Sequence, residues 1–207
     1  VSAVRWDGRT APVWAVPGWA VPVGVGAMAA VLGLDLATVR EVAEEAARDS
    51  GGEVCQAAND NDPAQVVISG HKAAVERAAE IAKARGAKRA LLLPVSAPFH
   101  CALMQPAADA MAQALAGTTI SAPKVPVVAN VRAEAVSDPE VIRQLLVEQV
   151  TGSVRWRESV EWMVAQGATE FWEIGAGKAL SGMIKRIAKD TAQVNVGSPE
   201  DIAKLNG

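Results

Sequence analysis

The sequence predicts an α/β protein in two parts, and three observations carry that reading. Apolar patterns of strand period and helix period alternate along almost the whole chain; the first half follows the order βαββαβ; the second follows αβααβαβ. Between them, residues 95–98 break the pattern with a Val-Ser-Ala-Pro run.

In the first half, Val23 to Leu32 is an apolar run of strand length closed by Gly33. Asp35 then suits an N-cap, because its carboxylate can accept from the free amides of a first helical turn. The helix it opens places Val39, Val42, Ala43 and Ala46 on one face and stops at Gly51 and Gly52. A short strand near Val54 to Ala58, a turn at Asn59 to Pro63 and the β-branched strand Val66 to Ser69 read as a hairpin. A second helix, Lys72 to Arg85, aligns Ala74, Ala78 and Ile81, ends at Gly86 and leads into a strand from Ala90 to Val95. This order is the split βαβ, or ferredoxin-like, unit, with two helices on one face of a four-stranded antiparallel sheet. It occupies residues 21–95.

Residues 96–207 form the second part. A helix is expected from Cys101 to Leu115, a strand from Val125 to Val131, and helices at Pro139 to Gln149 and Arg157 to Gln166. A strand from Thr169 to Ile174, a helix from Ala179 to Ala188 and a strand from Gln193 to Val196 follow. The alternation implies a parallel sheet covered by helices, and three strands alone leave its edges open. Residues 1–20 stand apart: Trp6, Trp14 and Trp19 lie there among Pro and Ala without either period, so the segment reads as out of frame or disordered.

Composition narrows the function classes. Half the residues are hydrophobic and 21% are charged, outside the regime of disordered chains. A net charge of −3 gives no bulk attraction to nucleic acid or anionic lipid. Cys55 and Cys101 have no metal-ligand spacing, so neither a metal nor a disulfide is expected, and the compartment reads as reducing, the cytoplasm. Thr10 to Leu34 lacks charge, but Pro12, Pro17 and Pro22 would strand backbone groups that lipid cannot satisfy, so no membrane span is expected.

Few residues are candidates for chemistry. His100 follows a strand end and Pro98 and precedes a helix, where α/β sheets place reactive groups; the pattern alone also suits a histidine that only bonds backbone. A nucleophile for it is not evident. No G-x-S-x-G elbow exists, Ser69 and Ser96 lack flanking glycines, and Cys101 reads as a small buried hydrophobe. His71 opens a helix and reads as structural. Gly175 and Gly177 in "EIGAGKALSG" fit neither phosphate-loop nor dinucleotide spacing and read as a tight turn. The clusters "KARGAKR" and "KRIAK" read either as solvated helix ends or as a local patch for an acidic or phosphorylated partner.

Six segments in order, "VPVGVGAMAAVLGLD", "NDNDPAQVVISGHKAAVERA", "GAKRALLLPVSAPFHCALMQPAADAM", "VPVVANV", "VEQVTGSVRWRESVEWM" and "EIGAGKALSGMIKRI", resemble the malonyl-CoA:acyl carrier protein transacylases. The resemblance covers Val21 to Gly207. It implies an α/β-hydrolase-like large subdomain, of which residues 96–207 are the C-terminal part, with the ferredoxin-like unit inserted in it. It implies transfer of malonyl from malonyl-CoA, through a serine ester, to the phosphopantetheine thiol of acyl carrier protein, without a cofactor. His100 then corresponds to the family's catalytic histidine, Gln149 to a glutamine that helps hold the histidine and substrate, and Asn61 to an asparagine lining the cleft.

The departures are as specific as the matches. The family's GQGSQ strand loop, its nucleophile segment GHSLGE and its carboxylate-binding arginine have no counterpart here, and Val1 to Ala20 stands where the arginine-rich helix belongs. The expectation is therefore a C-terminal portion of the enzyme, from a truncated or frame-shifted reading and inactive alone. Two other readings stay open: a non-catalytic module that binds acyl carrier protein through a patch including Lys185 and Arg186, and a ferredoxin-like unit acting in oligomerisation or regulation.

Overall fold

The computed structural model describes residues 24–95 and 97–205, so the expectations placed on 1–20 and on Ser96 lie outside the described residues. Within them the chain has a mixed α/β fold. The first half runs β1 (Gly26–Leu32), α1 (Leu36–Asp49), β2 (Cys55–Asp62), β3 (Gln65–His71), α2 (Lys72–Ala84) and β4 (Arg89–Leu92). The strands form one sheet in the order β2-β3-β1-β4, every neighbouring pair antiparallel.

Local chemistry accounts for the helix ends. Asp35 Oδ1 accepts from the Thr38 amide at 2.8 Å, capping α1 as its position in the sequence suggests. His71 ends β3 and caps the entry to α2; its Nδ1 accepts from the Val54 amide at 2.9 Å, a structural bond between β3 and the start of β2.

The core lies between the helices and one face of this sheet. Val39, Val42, Ala43 and Ala46 of α1 and Ala74, Val75, Ala78 and Ile81 of α2 meet Ala29, Val31, Val66 and Ile68 of the strands. Each buried Val or Ile contributes roughly 1.5–3 kcal/mol of transfer free energy. The other face carries a smaller apolar set, Met28, Ala30, Ala58 and Val67.

The turn expected at Asn59 to Pro63 is replaced by strand: β2 continues to Asp62 and only Pro63 and Ala64 turn. Distant residues override the turn preference of Asn and Asp. The register of β2 against β3 shifts between Ala57 and Asn59 and again between Asp60 and Asp62. On its outer edge, the Val154 amide donates to Ala58 O at 2.8 Å and the Asp60 amide to Val154 O at 2.9 Å.

After the sheet come a 3-10 turn (Ala102–Met104), α3 (Gln105–Ala116), β5 (Val127–Ala129), β6 (Glu134–Val136), α4 (Pro139–Thr151) and α5 (Trp156–Ala165). Then follow β7 (Glu170–Ile174), α6 (Ala179–Ile187), β8 (Ala192–Val196) and α7 (Pro199–Leu205). The expectation of three parallel strands is corrected. Among the described residues of the second half, β7 and β8 pair in parallel, while β5 turns back through Ala133, at φ 56°, and pairs antiparallel with β6. Too few residues separate β5 from β6 for a parallel crossover, so a hairpin is the available connection. The helix expected from Cys101 starts at Gln105, because residues 102–104 form the tighter turn first. The C-terminal strands are less covered, with Trp172 49% and Ile174 77% exposed.

Candidate functional site

His100 sits in the connection that leaves the sheet. Pro98 in that connection is fully buried against Gly26, at the start of β1. Two residues on, His100 adopts φ 59°, a left-handed conformation that costs a non-glycine residue roughly 1–3 kcal/mol and that persists only where surroundings enforce it. The Ala102 amide is held from the other side by Gln56 Oε1 at 2.8 Å.

The enforced conformation aims the imidazole between α4 and the sheet. Nδ1 lies 3.0 Å from the main-chain carbonyl oxygen of Gln149. A carbonyl only accepts, so Nδ1 carries the proton and, in the neutral ring, Nε2 presents its lone pair. Burial pushes the imidazole pKa below its ordinary value, partly opposed by the carbonyls of Gln149 and Gly152. The ring is thus kept neutral with one nitrogen ready to take a proton.

His100 lines a cavity of about 340 Å³. Its floor is the second sheet face, Met28, Ala30 and Val67; Asn59, Asn61 and Gln65 bring amides to one wall, and Leu93, Val95 and Phe99 close the other. Asn61 and His100 are therefore brought together. Gln149 meets the histidine through its main chain. Its carbonyl meets the ring, while its side-chain Nε2 donates back to Gly152 O at 2.9 Å.

No hydroxyl or thiol among the described residues lines this cavity or hydrogen-bonds His100. Cys101 is fully buried and its Sγ donates to Pro98 O at 3.1 Å; burial raises its pKa. Burial, with the neighbouring Cys101, pushes the Cys55 thiol up to about 12. Ser69 is fully buried in β3. The arrangement can accept a proton and bind an amide-bearing chain against an apolar floor; among the described residues it holds no group to attack a carbonyl.

Beside the cavity, β2 faces a second way. Asn59 and Asn61 turn towards His100, and Asp60 and Asp62 turn towards α5 and α6. Arg157 Nε donates to Asp60 Oδ1 at 3.2 Å with Nη2 2.9 Å from Oδ2, and Arg186 Nε donates to Asp62 Oδ2 at 2.8 Å. Arg186 thus pairs within the chain while its side chain stays half exposed, and Arg85 of the other cluster is held by Glu41 and Glu45.

The glycine turn of "EIGAGKALSG" is also structural. Gly175 and Gly177 have φ 138° and 93°, and Glu173 accepts from the amides of Leu180 and Ser181 at 3.1 and 2.8 Å, occupying donors a phosphate would need. Among the described residues no His, Cys, Asp and Glu group has metal-binding geometry, and no helix is long and apolar enough to cross a membrane.

Sequence reasoning missed Asn59, Gln65 and Phe99 in the lining and both acid–arginine pairs. The signal available was the alternation of Asn and Asp over residues 59–62, which on a strand sends like residues to one face.

Residues 20–201 match the acyl transferase domain. The chain is 50% identical over 184 residues to the malonyl CoA-acyl carrier protein transacylase of Escherichia coli (strain K12), covering 89% of this chain and 59% of that protein. It superimposes on the crystal structure of acyl-carrier-protein-S-malonyltransferase from Bartonella henselae with TM-score 0.85 and 54% identity, over 90% of this chain and 58% of that one. A malonyl-transacylase in complex with a type II polyketide synthase acyl-carrier protein matches at TM-score 0.86 and 43% identity, over 91% and 61%. The chain spans about three-fifths of the length of the curated relatives it matches.

Proposed function

The chain belongs to the acyl transferase domain family, and from that premise we propose that it serves malonyl transfer from malonyl-CoA to the phosphopantetheine thiol of acyl carrier protein. The observation that carries this reading is His100, its Nδ1 3.0 Å from the Gln149 carbonyl, beside a cavity walled by Asn61. Relatives at 43–50% identity are malonyl CoA-acyl carrier protein transacylases, and a similar structure is held by an acyl-carrier protein.

In this reading His100 Nε2 takes the proton from an attacking serine hydroxyl as its oxygen adds to the malonyl thioester carbonyl. The imidazolium then returns the proton to the departing coenzyme A sulfur. The second half-reaction mirrors the first: Nε2 deprotonates the phosphopantetheine thiol, which attacks the malonyl serine ester, and the serine oxygen leaves with the proton. The Gln149 carbonyl strengthens its bond to Nδ1 each time the ring is charged, which favours the transition states. Asn61, with Asn59 and Gln65, offers donors and acceptors to the amides of the pantetheine arm.

The serine belongs to the GHSLGE segment of the family pattern, which these 207 residues do not contain. Loss of a nucleophile costs on the order of a million-fold in rate, so the chain alone is proposed to be inactive. The β2-β3-β1-β4 order supports reading 21–95 as the ferredoxin-like subdomain; reading 96–207 as the C-terminal part of an α/β-hydrolase-like subdomain rests on the family resemblance. No cofactor is required by this chemistry, and a cytoplasmic setting suits two buried free thiols.

The test joins Val21 to Gly207 behind the GHSLGE-bearing segment of a transacylase relative and follows malonyl transfer to holo acyl carrier protein. Transfer is expected, with a loss of roughly a hundred-fold to ten-thousand-fold for His100→Ala. A joined protein that transfers malonyl equally well with alanine at position 100 overturns the reading.

A further inference from the structure

Four contacts tie β2 to the chain segment that serves the imidazole. The Val154 amide donates to Ala58 O, the Asp60 amide donates to Val154 O, Ser153 Oγ donates to Ala58 O at 3.2 Å, and Arg157 grips the Asp60 carboxylate with two nitrogens. The peptide immediately before them, Gln149 to Gly152, supplies the carbonyls that face His100. Gly152 cannot drift on its own, since its amide is bonded to Glu148 O at 2.8 Å and its carbonyl to the Gln149 side chain.

Arg157 is the charged one of these anchors. Its Nη1 also donates to Glu161 one turn along α5, at 2.9 and 2.8 Å, so the guanidinium is fixed from both sides. Asp60 is 1% exposed, with Glu158 and Glu161 also near it. Burying a carboxylate there gains little stability over an apolar pair of the same volume. What the hydrogen bond to Oδ1 and the close ion contact at Oδ2 supply is a set distance between β2 and the N-terminus of α5.

We infer that Arg157 is a positioning residue for His100: through Asp60 it holds the Gln149–Arg155 segment against β2, and so fixes the carbonyl that sets the imidazole tautomer. The inference rests on reading His100 as the base. The same grip sets the pitch of the bulged strand, whose opposite face presents Asn59 and Asn61 to the cavity. Releasing Arg157 lets the Gln149 carbonyl withdraw from Nδ1 and water reach the ring.

The chain has two histidines, so imidazole nitrogen and carbon spectra of the 207-residue protein assign with one His71→Gln control. Arg157→Met is expected to raise the His100 pKa by roughly half a unit or more and to turn a single Nδ1-protonated tautomer into a mixture. Arg157→Lys, which keeps a charge at Asp60, restores the wild-type spectrum in part. Arg77→Met, which breaks the Asp49 pair at another surface, leaves His100 unmoved. Should Arg157→Met fail to fold, Asp60→Asn removes the same attraction with little change in shape and is expected to move the ring in the same direction. A folded Arg157→Met or Asp60→Asn protein whose His100 titration and tautomer match wild type overturns the inference. A wild-type ring protonated on Nε2 instead overturns the reading of the base itself.

Discussion

Gly26 lies so close to Pro98 that a Cβ on the glycine would stand 2.4 Å from the proline Cγ. The first strand and the connection bearing His100 meet there without room for a methyl group, and the Gly70 carbonyl, 2.7 Å from the same point, blocks relief sideways. Gly26→Ala is expected to cost about 1–3 kcal/mol in urea unfolding. It should also shift the His100 ring signals in the folded protein, because Pro98 can yield only by moving the peptide towards residue 100.

Arg186 and Asp62 make a second inter-element pair in which only the acid is buried, 52% against 2% exposed. Removing the arginine leaves a buried carboxylate without its charged partner; removing both leaves no uncompensated charge. Arg186→Met should therefore destabilise by about 1–3 kcal/mol, and the Asp62→Asn, Arg186→Met double variant by less. Calorimetry on the two proteins checks the order, and equal losses would mean the pair is not coupled.

Burial lowers the His100 pKa below 6.5, so the unfolded chain takes up its proton at higher pH than the folded one. Stability is fully present above pH 6.5 and falls as acidification proceeds towards the lowered folded value. His100→Gln should flatten this slope in denaturation measured from pH 7 downward. Asp60 acts with the opposite sign, since its pKa is raised from 3.8 by burial against the pull of Arg157 and the folded chain takes up its proton first.

Neither thiol should react in the native state. Cys55, at about 12, carries almost no thiolate at pH 8, and Cys101 is raised and has no exposed surface. A chromogenic disulfide reagent should titrate no thiol in buffer and both in denaturant.

Ile68 is fully buried in β3 between the two helices. Ile68→Val should cost about 0.5–1.5 kcal/mol and Ile68→Ala about 2–5 kcal/mol, read from urea midpoints at unchanged slope.

The helices were legible because their signals are local. Asp35 caps α1 and the alanine face of α2 follows the 3.6-residue period, so both appear within a residue or two of where the sequence places them. β2 was not, because its Asn and Asp residues favour turns in isolation. They become strand through partners 97 and 124 residues away, which no window along the chain contains. His100 was legible by position after Pro98, yet its side chain meets a main-chain carbonyl, and any residue at position 149 carries one. β6 was missed for its three-residue length, and α7 despite a proline at its first turn.

The proton on the His100 ring decides the account most directly. A nitrogen–proton correlation spectrum of the neutral imidazole, recorded on the intact chain near pH 8, reports which nitrogen is protonated. The account predicts a proton on Nδ1, bonded to the Gln149 carbonyl, and a bare Nε2 facing the cavity; a proton on Nε2 would contradict it.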